Sequence, residues 1–398
     1  MRVLFVKERM AWPRASGHDV HTFYLMQALG RLGHAVALGT IDPAPPEAVA
    51  GGGTSADYCF RNGDPPPADV PLTLTPRQEK FRNYWGIDAE RVRWVAAAAA
   101  DFRADAVVVS GLNVLPYLGA LPPETLKVWY AADEWVWHHL SQVRLLRRST
   151  WSELKPALVK GLYQRAYRPL LDRVWVVTPA DATAFRWVTG QRNLDVMPNG
   201  VDAEHYAPGP EVRAPQSCVF WGRLDFGPNV QAIEWFVRHV WPRVRARVPD
   251  ATFAIYGFQP TPAVANLAGR DGIRLAADLP DIRPAVRAHA AVVLPFVSGG
   301  GIKNKLLEAA AMGMPIVATP RVRAGLNGEP PLALAKSPGA FADKLLALWR
   351  DAPASAKLGA AARAWAMEHH TWAAAARVAA AGLLASRAER PIPAEATP

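Results

Sequence analysis

The chain is short of cysteine, of long apolar runs and of metal-ligand groupings, and each shortage closes off a class of protein. Among 398 residues only Cys59 and Cys218 are cysteines, far apart in the chain. This excludes a disulfide framework and any cysteine-based zinc or iron–sulfur site, and it fits a reduced, cytoplasmic chain. The most apolar stretch, Ala288–Val297, has about half the ~20 residues that a spanning helix needs. The opening Met1–Lys7 has too short an apolar run for a secretory signal and reads as a first strand. No Asp-x-Asp triplet follows a strand, so no obvious carboxylate pair is set up to hold Mg²⁺ on a diphosphate. Neither a metal nor a cofactor is expected.

What is present is a globular pattern. Hydrophobic residues make up 50% and charged residues 20%, enough for a large core. The length suits two large domains. Net charge is +10 but uneven: Ser141–Arg173 holds eight basic residues against two acids. Such a patch suits an anionic substrate or an anionic membrane. No basic–aromatic motif accompanies it, so nucleic acid is not expected as a partner.

Short apolar runs alternate with helical patterns. Strands are expected at Val3–Val6, Ala35–Leu38, Ala106–Val109, Lys127–Tyr130, Val174–Thr178 and Asp195–Met197. Helices are expected over about Asp19–Leu32, stopped by Gly33, and about Ser152–Leu171. Residues 42–76, rich in Pro, Gly and Ala, read as irregular. A proline-rich break around His205–Gln216 precedes a second series, with strands at Cys218–Trp221, Thr252–Tyr256, Ile273–Leu275, Ala291–Leu294 and Ile316–Thr319. Helices there start near Asn229 and run over Lys303–Met312, and an Ala-rich helical tail begins near Ala360. This alternation predicts an α/β protein with two parallel sheets, each covered on both faces.

The segment richest in chemistry is Ser298-Gly-Gly-Gly-Ile-Lys-Asn-Lys-Leu-Leu-Glu308. Glycines at Gly299, Gly300 and Gly301 permit close approach to the backbone. The helix that follows offers unpaired N–H groups, an anion site to which Lys303 and Lys305 add full charges. Lysines there oppose the helix dipole, which an anion would compensate. It is not a Walker loop. Glu308, flanked by apolar residues, reads as a buried carboxylate able to accept hydrogen bonds from a ribose diol. Arg223 in Trp221-Gly222-Arg223-Leu-Asp225 stands past the end of a strand, where open α/β sheets place ligands. It can grip phosphate with two prongs or pair with Asp225.

These segments resemble the GT-B glycosyltransferases, in particular the retaining family 4. The resemblance runs through Ser16-Gly17-His18, Gly33-His34, Met197-Pro-Asn-Gly-Val-Asp202, Trp221-Gly-Arg-Leu, the Gly299–Thr319 segment and His370-Thr-Trp372, covering nearly the whole chain. It implies two Rossmann-like domains facing across a cleft: an acceptor domain over 1–205, joined by 375–398 crossing back, and a donor domain over 206–374. It implies metal-free transfer, with retention, from a UDP-sugar or GDP-sugar to a glycan, lipid-linked or small-molecule acceptor. Arg223, Lys303 and Lys305 would be the catalytic cations. Gly17, Gly222, Gly257, Phe258, Leu279, Ile302 and Glu308 would join the three glycines in donor binding, with Gly257-Phe258 and Leu279-Pro280-Asp281 at the base.

Two departures stand out. The family usually has a Glu, seven residues and a second Glu; Glu308 matches the second, and Gly300 stands at the first position. A lysine common after the Gly-Arg pair falls near Pro228. One subgroup with Gly-Ile-Lys-x-Lys is similar, so Lys303 or Lys305 would replace the missing cation. On the acceptor side the candidates are His18, Asp133, Glu134 and His138, with Asp133-Glu134 read either as acceptor-binding carboxylates or as a helix cap. Trp135, Trp137 and Trp151 would stack on sugars or pack. Other readings are a silent GT-B subunit and a UDP-sugar epimerase. The resemblance and the basic run Arg144, Arg147, Arg148 also point to peripheral contact at the inner face of the membrane.

Overall fold

The computed structural model describes residues 1–11, 17–60, 70–132, 134–142, 148–298 and 302–390, without the side chains at 17, 138, 141, 142 and 148–150. It forms two compact units, 1–198 with 372–398 and 199–371.

The first unit is a seven-stranded parallel sheet. Its strands are β1 (Arg2–Lys7), β2 (Ala35–Thr40), β3 (Ala56–Cys59), β4 (Ala106–Ser110), β5 (Leu126–Ala132), β6 (Arg173–Val176) and β7 (Leu194–Val196). Their order is β3-β2-β1-β4-β5-β6-β7. The second unit has β8 (Ala214–Arg223), β9 (Thr252–Phe258), β10 (Ile273–Ala277), β11 (His289–Leu294), β12 (Ile316–Ala318) and β13 (Ala333–Leu334), in the order β10-β9-β8-β11-β12-β13. Every neighbouring pair is parallel. Helices cover both faces, so the central strands have no polar side; Val3-Leu4-Phe5-Val6 and Val292-Val293-Leu294 are fully buried. In each sheet the order reverses beside the first strand, at β1/β4 and β8/β11. Chain connections diverge there and leave a crevice at the strands' carboxyl ends.

The last helix, Trp372–Ala388, belongs to the first unit. Its Trp372 ring stacks on Tyr24, centroids 5.2 Å apart, and meets His21 edge-on. Arg390 closes the tail with an ion pair to Asp172 at 2.6 Å. The division between the units falls at 198/199 and 371/372. Val201 pairs with Thr371, and fully buried His370 donates from Nδ1 to the Asn199 carbonyl and accepts the Asn327 N–H at Nε2. These contacts hold 199–205 and 370–371 in the second unit. Burial lowers the pKa of His370, which needs a bare Nε2 for its acceptor role.

Other boundaries shift. Within 42–76, expected to be irregular, Pro46–Gly51 is a helix with proline in its first turn and β3 adds an edge strand to β2. Thr178 leaves the strand to cap helix Pro179–Thr189 through the Asp181 N–H. The Ala-rich tail is two helices, Ala352–His369 and Trp372–Ala388, divided at His370-Thr371.

Helix Ala352–His369 packs on helix Asn304–Ala311, and Gly359 lies against the turn that ends the latter: a Cβ there would run into the Gly313 carbonyl. Propensity alone favours Gly→Ala inside a helix by about 1 kcal/mol. Overpacking against backbone costs about 1–3 kcal/mol. Gly359→Ala is therefore expected to lower the thermal midpoint, whereas Gly339→Ala, which meets nothing, is not; a melting curve of each decides it.

Candidate functional site

The second unit has a cavity of about 860 Å³ at the carboxyl ends of its central strands. Two glycines make it possible. Gly222 (φ 135°) ends β8 and Gly257 (φ 154°) lies beside it near the end of β9. A side chain on Gly257 would collide with the Gly222 carbonyl, and one on Gly222 would press on Lys305 Nζ at 3.1 Å. Both need the conformational freedom of glycine.

Helix Asn304–Ala311 enters beneath them. Lys305 points inward, its Nζ donating to Asn229 Oδ1 at 3.1 Å, while Asn229 Nδ2 donates to the Arg223 carbonyl at 2.7 Å. The ammonium also stands 5.3 and 5.4 Å from the ring centres of Phe220 and Phe296. Burial pulls its pKa down to about 8, against the raising influence of Glu308. One turn on, half-buried Glu308 lines the cavity and accepts the Trp221 indole N–H at 2.9 Å. Burial pushes its carboxyl up; the Trp221 hydrogen bond and the Lys305 charge oppose this. Lys303, at the helix cap position, also lines the cavity, its pKa lowered by burial and by Arg321.

At the outer wall, Arg283 forks onto Asp281 with two bonds of 2.8 Å and donates to the His205 carbonyl at 2.7 Å. This holds the turn after Leu279-Pro280 against the segment from Asp202. Asn199 reaches Asn304 at the helix start, 2.8 Å, so the Asn199-Gly-Val-Asp202 segment supports the same helix end. The wall is apolar and aromatic at Phe226, Phe258 and Leu279, and charged at the helix. It suits a ligand with a flat ring and an anionic group.

Residues 215–351, about a third of the chain, match the family model described as Glycosyl transferases group 1. The match lies wholly within the second unit. Solved structures agree on the fold over the whole chain. The Anabaena protein Alr3699/HepE in complex with UDP and glucose is 16% identical, with 96% of this chain and 99% of that one covered and a TM-score of 0.61. Sucrose-phosphate synthase from Thermosynechococcus elongatus is also 16% identical, covering 98% and 100%, at 0.62. TarM is 9% identical, covering 96% and 98%, at 0.66. At this identity the likeness establishes the fold, GT-B. No curated protein matches by sequence.

Within the second unit the structure gathers Gly222, Gly257, Phe258, Leu279, Ile302, Lys303, Lys305 and Glu308 around one cavity. Arg223 is not among its lining. It is exposed and held by Asp225 through two bonds of 3.0 Å, the pairing that the sequence left open. Gly299, Gly300 and Gly301 lie outside the described residues. The sequence reading passed over Trp221, Asn229, Asn304 and Arg283 as site residues. Trp221 stood in a quoted motif, but nothing in one dimension pairs it with Glu308.

In the first unit Gly17 starts helix Gly17–Arg31. His18 follows, and both its ring nitrogens are buried with no hydrogen-bond partner among the described residues. Burial, then the Lys7 charge, lowers its pKa to about 4. Next to it Lys7 and Asp19 form a buried pair at 2.9 Å. Glu134, read as an acceptor-binding carboxylate or a cap, is a cap: its oxygens accept the N–H groups of Val136 (3.1 Å) and Trp137 (2.6 Å). That occupies it with backbone, and it is withdrawn as an acceptor candidate. Asp133 and the His138 side chain lie outside the described residues. His139 pairs with Glu153 at 2.7 Å. Trp137 and Trp151 are exposed and Trp135 is half-buried.

Lys305 is expected to titrate near pH 8, as is the buried Lys160 of the first unit. A lysine-selective NMR titration should show two midpoints near 8, against the usual 10.4. Lys305→Met should erase one of them and leave the other; two unchanged midpoints would exclude Lys305 as their source.

Proposed function

We propose that the chain is a retaining glycosyltransferase that moves a sugar from a nucleoside-diphosphate sugar to an acceptor hydroxyl, with the donor in the second unit's cavity and the acceptor bound by the first unit. The observation that carries this is Lys305: an inward-pointing, largely desolvated ammonium with a neutral amide as its hydrogen-bond acceptor, facing a cavity of nucleotide size beside the Glu308 carboxylate. An ammonium so placed is poorly compensated until an anion arrives. The diphosphate would sit over Gly222 against Lys305 and the helix start, Glu308 would accept from the ribose hydroxyls, and Phe258 and Leu279 would flank the base. The Anabaena relative's complex with UDP and glucose supports that ligand class.

In this reading the acceptor hydroxyl attacks the anomeric carbon from the face the diphosphate leaves. The bond to the diphosphate oxygen breaks, and the acceptor's proton passes to the departing phosphate. Lys305 and Lys303 stabilise the charge that grows on the leaving group, so metal is not required. Arg223 joins them only by exchanging Asp225 for phosphate. With Gly300 where the family has a Glu, hydroxyls of the donor sugar would be read by other groups, backbone N–H donors among them.

Release of nucleoside diphosphate from a panel of UDP- and GDP-sugars tests the reading directly. Turnover that survives EDTA is expected. Full loss with EDTA and recovery with Mg²⁺ would overturn the metal-free step, and nucleotide binding without release would make the chain a silent subunit.

By calorimetry, Lys305→Met should weaken UDP or GDP binding about 10- to 100-fold, the worth of one charge-assisted bond; Lys303→Ala and Arg223→Ala should cost less. A diphosphate favours the ammonium and raises its pKa when bound. Affinity should therefore be flat below the free value of about 8 and fall by up to about tenfold per pH unit above it. In Lys305→Met that decline should vanish; unchanged binding in all three variants would disprove the anion site.

A further inference from the structure

A second cavity, in the first unit, has nothing to do with nucleotide. It is an open groove of about 750 Å³ between three helices, Trp135–Gln142, Leu154–Tyr167 and Pro179–Thr189. Its walls are almost wholly apolar. Leu154, Leu158 and Leu162, spaced four apart, form one stripe; Trp137 and Leu140 form the second wall and Trp187 the third. All six are exposed, Trp187 by 83% and both Trp137 and Leu158 by 64%. They make up six of the fifteen large hydrophobic residues exposed among the described residues, so the apolar surface is concentrated and not scattered. Gly161 lines the groove between Val136 and Val188, where a larger side chain would fill it.

Tyr163 and Tyr167 of the second helix are buried in the first unit's core, whereas Leu162 beside them is exposed in the groove. The helix therefore has two apolar faces, and its own unit buries only one.

The charge around the groove selects its occupant. The three helices carry Lys155, Lys160, Arg165 and Arg186 against a single acid, Asp181. Asp181 is already engaged by Thr178 and the Glu134 N–H, and nearby Glu153 by His139. Lys155 and Arg186 adjoin Leu154 and Trp187 in sequence and are exposed, and Arg165 lines the groove itself. A second copy of this chain would bring like charges together with no free acid to meet them. A surface of leucines and tryptophans ringed by cations matches the acyl and headgroup layers of an anionic bilayer.

We propose that this groove is a membrane-docking surface, in which Trp137, Leu158 and Trp187 enter the headgroup region of an anionic phospholipid bilayer while Lys155, Arg165 and Arg186 meet its phosphates. The inference is independent of the donor cavity. The basic run at Arg144, Arg147 and Arg148 lies in the chain between the first two helices; 143–147 are outside the described residues, as is the Arg148 side chain, and the surface stands without them.

The test is co-sedimentation of the full chain with vesicles of phosphatidylcholine containing about one-third phosphatidylglycerol, and with pure phosphatidylcholine. Binding is expected to the anionic vesicles only and to fall steeply with salt. Leu158→Ser with Trp187→Ser should lower the vesicle partition about tenfold or more, and so should Lys155→Glu with Arg186→Glu. Val212→Ser, more exposed than either but in the other unit, should leave it unchanged. Each variant's melting curve and UDP affinity are measured alongside, so that a misfolded variant or a failed donor site is seen separately. No binding at low salt, or binding indifferent to both double variants, overturns the proposal. So does a dimer in sedimentation velocity that Leu158→Ser with Trp187→Ser dissolves, which would assign the groove to a second copy.

Discussion

The arrangement at the second unit's cavity follows from one requirement: a desolvated ammonium must have room and something to answer its charge. Lys305 meets it with a glycine above, two phenylalanine faces nearby and one amide oxygen. The Asn229 side chain that supplies this oxygen is itself oriented by the Arg223 carbonyl. Glu308 sits one turn further on, and its charge is favoured by Lys305 and by the Trp221 N–H. Remove Gly222 and the lysine loses its space; remove Trp221 and the carboxylate loses its hydrogen bond. The site is a set of mutually dependent buried polar groups, the kind that stays well defined because a partly satisfied version is costly.

The two sheets provide the frame for this. Parallel strands with apolar residues on both faces place every chain reversal at a strand end, so the polar and glycine residues collect there. His370 shows the same economy at the end of the second unit. It replaces two backbone partners in one buried ring, joining 199 and 327 at the point where the chain turns back toward the first unit.

The first unit uses its polar residues differently. Glu134 caps a helix, Asp181 supports that cap, and His139 neutralises Glu153. Acidic groups are thereby spent on local structure, and the exposed charge left on helices Leu154–Tyr167 and Pro179–Thr189 is basic. The groove's character comes from this as much as from its leucines.

The strands were legible because buried parallel strands are unbroken apolar runs, and the glycine–lysine segment because its composition opposes ordinary helix design. Gly222, Gly257, Phe258, Leu279, Ile302, Lys303, Lys305 and Glu308 could be named before any fold was known, through motif resemblance. What sequence could not decide was the partner of each group. Arg223 had Asp225 two residues away and a possible ligand in space, and the local pair formed. Glu134 had a cap role and a binding role, and three residues of backbone settled it. Trp221 and Glu308 are 87 residues apart, and Leu162 belongs to a helix with two apolar faces. Periodicity says that a face is apolar; only packing against the sheet decides which face is covered and which is left to meet something else.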